Sequence, residues 1–392
     1  MSTPPDPLAG ARARPSSPPV ILARLDGELR SMSSPPPPPG EPPAARAYTR
    51  NLVVVGGTPD IAEECLPIVD QVLAAIPARA IVIGLDPDGP DGLEGGASAV
   101  CAVPEGGAGA VCSERVHLVA RGEVCARLAS CVDTLTGTDL PTTLVWLARV
   151  HPADPAFAPL ASRADRIVLD AARGSIGGLA QLVRWVQSRP EGDRPGVADL
   201  AWTRLSPWQE LCARVFDEPR LRELASRVTR VSIVQGSAAG APLGAEGGLL
   251  LGWLATRLGW KAASLAGRLR LVGPRGPVQA LLCSDASAKA LRGAITAIEI
   301  EARAPGAPDR GEQPLSLRAS VTKESPDGDA AMWRLEVQDG TETRRIEQRV
   351  PLHAHDQARL LETTLRRPAH DPALAESVAW TDELRGEELA CG

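Results

Sequence analysis

Residues 51–55, Asn-Leu-Val-Val-Val, form an apolar, β-branched run that ends at Gly56 and Gly57. Ile61, Leu66, Val69 and Leu73 follow at helical spacing, and residues 81–85 make a second apolar run of strand length. Strand, helix and strand in that order join through a crossover that lays the two strands side by side in parallel. This stretch therefore commits the chain to a sheet with helices on its faces. Apolar runs at residues 99–103, 116–119, 143–147 and 167–169, separated by helix-length pieces such as 124–135, extend the pattern. The expectation is an α/β fold whose N-terminal mixed-sheet α/β domain occupies residues 48–235.

The periodicity then changes. Leu315, Leu317, Ala319 and Val321 alternate with polar residues, as do Trp333, Leu335 and Val337, so each run reads as a strand with one buried face. Asp339-Gly340 joins the second run to the next in the composition of a type I′ hairpin. Helices at residues 358–365 and 374–384 close an α+β C-terminal domain, 236–392, built on an antiparallel meander. Residues 1–47 hold 13 of the 37 prolines and read as a disordered tail. Within it Leu22, Leu25, Leu29 and Met32 line one face of a short helix able to dock on the body or on a partner.

Two central helices carry explicit signals. Ser206 is placed to cap the first, Pro207 suits its first position, and Gln209 completes a capping box. Trp208, Leu211, Cys212 and Val215 form its stripe, and Pro219 stops it. The second, over residues 247–258, carries Leu250, Trp253, Leu254, Arg257 and Leu258. It is apolar on nearly every face, so it is expected deep in the fold or shared with a partner.

Charge and motifs narrow the function. The net charge is −6 and the 42 Lys and Arg residues are scattered, which is not the footprint of a nucleic-acid binder. The apolar run at residues 249–255 covers only about a third of the ~20 residues a membrane span needs. Pro4, Pro5 and Pro7 stand where a secretory signal needs a charged start and an apolar segment, so a cytoplasmic chain with no membrane contact is expected. Eight cysteines without a CxxC pair point to reduced thiols. No Gly-x-Ser-x-Gly string occurs. The segment from Gly56 through Thr58 to Asp60 lacks the remaining glycines of a dinucleotide fingerprint and reads as a plain turn. Asp86, Asp88 and Asp91 read as a solvated turn, and His353, His355 and His370 as surface histidines. No catalytic group, metal or cofactor is expected.

The tryptophans are the informative residues, since eight Trp stand against two Phe and one Tyr. Trp208 and Trp253 sit on apolar helical faces and are expected in the core. Trp202 and Trp260 lie beside Arg204 and Arg257, and Trp with Arg is the usual make-up of an interface hot spot.

Residues 199–208, Asp-Leu-Ala-Trp-Thr-Arg-Leu-Ser-Pro-Trp, followed by Leu211, Phe216 and Asp217, resemble a signature block of the OpcA family, the glucose-6-phosphate dehydrogenase assembly proteins of cyanobacteria and actinobacteria. Asp199, Ser206, Pro207 and Trp208 carry that block. Residues 249–260, with Trp253 and Trp260, are similar to the family's glycine-tryptophan helix. Segments at 46–47, 51–54, 79–83, 112–116, 139–141 and 165–170 fall in the family's order, while Gln209 stands where the family pattern has Arg. The resemblance implies a non-catalytic assembly factor or allosteric activator. Such a protein binds glucose-6-phosphate dehydrogenase and favours its active oligomer in the oxidative pentose phosphate pathway. Trp202, Arg204, Arg257 and Trp260 are the expected partner-binding residues. Thiol regulation associated with photosynthetic members also draws attention to Cys101, Cys112, Cys125 and Cys131. The alternative is a sugar-phosphate-binding enzyme or a ligand-binding regulatory domain.

Overall fold

The computed structural model describes residues 18–32, 45–46, 48–102, 110–137, 139–236, 244–265, 268–285, 293–305, 314–325, 328–352 and 356–383. Most of the proline-rich tail, together with His353 and His355, lies outside them. The chain divides into two compact units, Met1–Val168 with Gly192–Gly196, and Leu169–Glu191 with Val197–Gly392.

The first sheet is built in chain order from β1 (Ala45–Arg46), β2 (Asn51–Gly56), β3 (Arg79–Asp86), β4 (Gly92–Ala102), β5 (Val111–Arg121), β6 (Thr142–Trp146), β7 (Arg166–Leu169) and β8 (Gly196–Asp199). Its helices are α1 (Pro18–Met32), α2 (Pro59–Ala75), α3 (Leu128–Leu135) and α4 (Phe157–Ala161), while α5 (Ile176–Gln187) falls in the second unit. The strand order is β1-β5-β3-β2-β6-β7-β8, with β4 added antiparallel on β5. The expected βαβ unit is present, since β2 and β3 pair in parallel from Asn51 opposite Arg79 to Gly56 opposite Gly84. Its glycines serve close packing. A Cβ on Gly84 would lie 2.6 Å from Pro59 Cα, and one on Gly56 would lie 2.8 Å from the Ala62 nitrogen. Thr58 caps α2 by accepting the Ile61 N–H, so the turn is the plain strand-to-helix turn its composition suggests.

Helix α1 docks on the body through Ile21, Leu25 and Leu29, all buried, and Arg24 donates to the Gly95 carbonyl of β4. Asp86 pairs with Arg121 and Asp91 accepts the Glu123 N–H, so two of the three loop acids are tied to residues about thirty positions on, while Asp88 is exposed. The expectation of reduced thiols fails at two places, one of them Cys283, which is disulfide-bonded. The antiparallel register sets Cys101 of β4 opposite Cys112 of β5 with Cα atoms 4.0 Å apart, and the two form a disulfide. Cys65, Cys125, Cys131 and Cys212 are buried thiols.

The second unit starts with three helices, α6 (Leu200–Arg204), α7 (Ser206–Arg214) and α8 (Pro219–Arg222). Its sheet runs through β9 (Val228–Gly236), β10 (Lys261–Leu265), β11 (Arg268–Gly273), β12 (Gly276–Asp285), β13 (Ile295–Arg303), β14 (Ser316–Lys323), β15 (Ala330–Asp339) and β16 (Glu342–Pro351). Helix α9 (Ala245–Leu258) follows β9, and α10 (Gln357–Arg366) and α11 (Pro372–Glu383) end the described chain. The order is β10-β11-β12-β9-β13-β14-β15-β16. Strand β9 thus lies in the middle of this sheet, which moves the division N-terminal to the boundary expected after residue 235. The β13–β16 meander is antiparallel throughout, as alternation predicts. At its last hairpin Asp339 pairs with Glu342 and only Gly340, at φ 59°, has positive φ, which is the pattern of a type II′ turn in place of type I′.

One face of this sheet is core, with Val231, Ile233, Ile298, Ile300, Leu317 and Leu335 buried. The alternate residues carry paired charges, among them Arg318 with Glu299 and Arg345 with Glu336.

Candidate functional site

The signature block begins where β8 ends. Asp199 is fully buried, and its two carboxylate oxygens are both engaged, accepting the Trp202 N–H at 3.0 Å and the Ala171 N–H at 2.8 Å. The first of these bonds caps α6. Asp199 has the extended backbone a cap requires, φ −142° and ψ 135°, whereas Leu205 is already helical at φ −73° and ψ −13°. The cap expected at Ser206 is therefore not formed. Ser206 instead donates to the Thr203 carbonyl at 2.9 Å and accepts from Arg367 at 2.7 Å. Pro207 still occupies the first turn of α7.

Arg204 closes α6 and reaches two carboxylates from elsewhere in the unit. One Nη donates to both oxygens of Asp170 at 2.9 Å, and the other donates to Glu246 Oε1 at 2.8 Å. Asp170 follows directly on β7 and Glu246 stands in the first turn of α9, with side chains 5% and 8% exposed. Burial works against the charge on Arg204, but the two carboxylates outweigh it and hold its pKa above the ordinary value. Burial raises Glu246, against the pull of Arg204. Burial, with Asp170 adding repulsion, pushes Asp199 up to about 7 against the two N–H bonds and Arg204. Packing this tight serves positioning. Each carboxylate is consumed by a protein donor, so the cluster works as a brace joining the ends of two strands to two helices.

The tryptophans complete the framework. Trp202 is 5% exposed and its Nε1 donates to Asp371 at 2.8 Å, while Thr203 and Thr364 share a hydroxyl contact of 2.9 Å. Trp260 is 4% exposed, and its carbonyl accepts from Trp380 Nε1 at 3.2 Å. Trp208 is buried, and Trp333 donates to the Leu211 carbonyl of α7 beneath the Arg214 guanidinium. The expectation of exposed anchors is thus not met by Trp202, whose indole is drawn inward by Asp371, or by Trp260, which is buried with its backbone carbonyl bonded to Trp380. Arg204 is likewise held inside its ion cluster. Arg257 alone of the four is exposed, in a salt bridge to Glu376 at 3.3 Å.

Trp253, expected in the core, is only half-buried. It lies four residues before Arg257, so the two share one face of α9. Beside that face α9 packs closely on α11, where a Cβ on Gly252 would lie 2.5 Å from the Ser377 carbonyl oxygen. Gly259, at φ 69°, ends the helix in left-handed conformation. Sequence reasoning missed Glu246 and Asp371, whose partners are 42 and 169 residues away. The acidic first turn of α9 was the only signal for the former.

Residues 69–184 match the family model described as glucose-6-phosphate dehydrogenase subunit N-terminal domain, and residues 195–378 match the C-terminal domain of the same subunit. The OxPP cycle protein OpcA of Synechocystis is 30% identical over 215 residues, covering 53% of this chain and 42% of the relative. The OxPP cycle protein OpcA of Nostoc punctiforme is 29% identical over 198 residues, covering 50% and 41%. The chain thus spans less than half the length of these two curated relatives. Among solved structures, a glucose-6-phosphate 1-dehydrogenase from Mycobacterium avium aligns over 86% of this chain and 91% of that one at 12% identity, with a TM-score of 0.48. That likeness is too distant to bear on fold or activity. Matched in both halves by the two domains of one subunit, and with the signature blocks assembled into one framework, the chain belongs to the OpcA family.

Proposed function

We propose that the chain is a non-catalytic partner of glucose-6-phosphate dehydrogenase, binding the enzyme in the cytoplasm and favouring its active oligomer in the oxidative pentose phosphate pathway. The observation that carries this reading is the paired family match, in which both regions are described as domains of a dehydrogenase subunit. Among the described residues no helix is long and apolar enough to cross a membrane.

The half-buried Trp253 and exposed Arg257 on α9 supply the docking surface in this proposal. The buried brace and the close α9–α11 packing hold that surface rigid, so little entropy is lost when it is covered. Arg257 is free to change partner, because a half-exposed ion pair such as that with Glu376 is worth under about 1 kcal/mol. Activation then needs no chemistry from this chain. If it binds the active oligomer ten times more tightly than other forms, about 1.4 kcal/mol of differential affinity shifts the equilibrium toward that oligomer.

The test is the steady-state rate of the dehydrogenase from the same cell, with and without this chain. A lower substrate concentration for half-maximal rate is expected, with no turnover by the chain alone. Unchanged kinetics at saturating amounts of the chain would overturn the proposal.

A further inference from the structure

From the geometry at one end of the second sheet we infer a binding site for a phosphorylated small molecule, centred on Arg227, Arg275 and Arg303. The start of β9, the start of β12 and the end of β13 meet there, since β12 pairs in parallel with β9 and β13 pairs antiparallel to it. The three strand ends border a cavity of about 610 Å³, within the range of roughly 300–1,000 Å³ usual for small-molecule sites. Arg227 enters from the segment before β9 and Arg303 from the last residue of β13. Arg275 sits at the tip of the β11–β12 hairpin, beside Gly276, whose φ of 148° is one that side-chain-bearing residues rarely adopt.

Charge separates this place from the rest of the sheet. Arg318, Arg334, Arg345 and Arg349 each pair with a glutamate. Arg227, Arg275 and Arg303 make no ion pair among the described residues, and no Asp or Glu lines the cavity. In a chain of net charge −6, three arginines without an ion pair around one cavity make it a locally positive place that favours an anion. A carboxylate satisfies one guanidinium fork, whereas a phosphate monoester has three terminal oxygens and two negative charges to divide among several. The Thr229 hydroxyl and Gln279 amide offer partners for hydroxyl groups on the ester's carbon skeleton, and buried Leu271 and Val278 supply the apolar part of the wall. The cavity's size favours a metabolite over a nucleic-acid strand.

Calorimetric titration of the full chain alone, with glucose 6-phosphate, glucose and inorganic phosphate as probes, tests the site independently of any dehydrogenase. Glucose 6-phosphate is expected to bind, inorganic phosphate to bind more weakly and compete with it, and glucose to give no heat. Arg275→Gln and Arg303→Gln are each expected to weaken binding at least about tenfold without moving the thermal melt, as both side chains are exposed. Arg275→Lys should fall between, because lysine keeps the charge and loses the fork. The inference is overturned if no phosphate ester binds below about 10 mM, a level corresponding to under 3 kcal/mol, or if the Gln variants bind it as tightly as the parent. It is equally overturned if these variants leave ester binding intact and lose only the dehydrogenase, for the patch would then be a protein contact.

Discussion

Replacing Arg204 with methionine keeps the length of the side chain and removes the cation from between Asp170 and Glu246. Three hydrogen bonds of 2.8–2.9 Å disappear, and two carboxylates that are 5% and 8% exposed are left without it. Removing one partner of a buried ion cluster costs about 3–5 kcal/mol, mostly through the charge left behind. Arg204 itself is 28% exposed, so water reaches one edge of the cluster and the expected loss sits at the lower end, about 3 kcal/mol. If stranded charge is the cause, neutralising the acids should reverse it. The triple variant Arg204→Met, Asp170→Asn, Glu246→Gln is therefore expected to lie within about 1 kcal/mol of the parent. Urea unfolding followed by tryptophan emission is the suitable assay, because seven of the eight tryptophans belong to the second unit and Trp146 alone to the first. A single variant within about 1 kcal/mol of the parent, or a triple variant no more stable than the single one, would refute the brace.

Asp199 titrates at about 7 in the folded chain, against roughly 4 when unfolded. The folded state binds more protons between these values, so this contribution is complete below pH ~4 and lost as pH rises through ~7. Asp199→Asn keeps a capping residue and should flatten that part of the stability profile, as pH-dependent urea midpoints will show. Trp202→Ala and Trp260→Ala should each cost about 3–5 kcal/mol of stability through the cavities they leave. Trp253→Ala and Arg257→Ala should instead weaken dehydrogenase binding by about 2 kcal/mol with a smaller effect on unfolding, read by titration and melts of the same samples. Leu25→Asp places a carboxylate where α1 meets β4 and should lower the first unit's stability by several kcal/mol; an unchanged melt would leave that helix without a packing role.

Much of the fold was legible because it rests on local periodicity. The β2–α2–β3 unit, the meander and helices α9 to α11 all follow from spacing of apolar residues. What escaped depends on pairing between distant segments. Strand β8 is four residues long and carries too short a pattern to stand out. Ser206 looked like a cap because Ser-Pro-x-Gln fits a helix start, yet Asp199, seven residues earlier, had already begun the helical path. The Cys101–Cys112 disulfide arises from strand register across a hairpin, which an eleven-residue separation does not disclose. The tryptophans misled for a related reason: an indole beside an arginine suits an interface, and only tertiary contacts, such as the bond from the Trp202 indole to Asp371, turn it inward.

The proposed partnership itself is tested most directly by sedimentation velocity of glucose-6-phosphate dehydrogenase, at concentrations where its active oligomer begins to dissociate, with and without this chain. The account predicts that the chain co-sediments with the enzyme and that the active oligomer persists to lower concentration, an effect weakened by Arg257→Ala. Two species that sediment independently, with the oligomer dissociating at the same concentration in both samples, would contradict it.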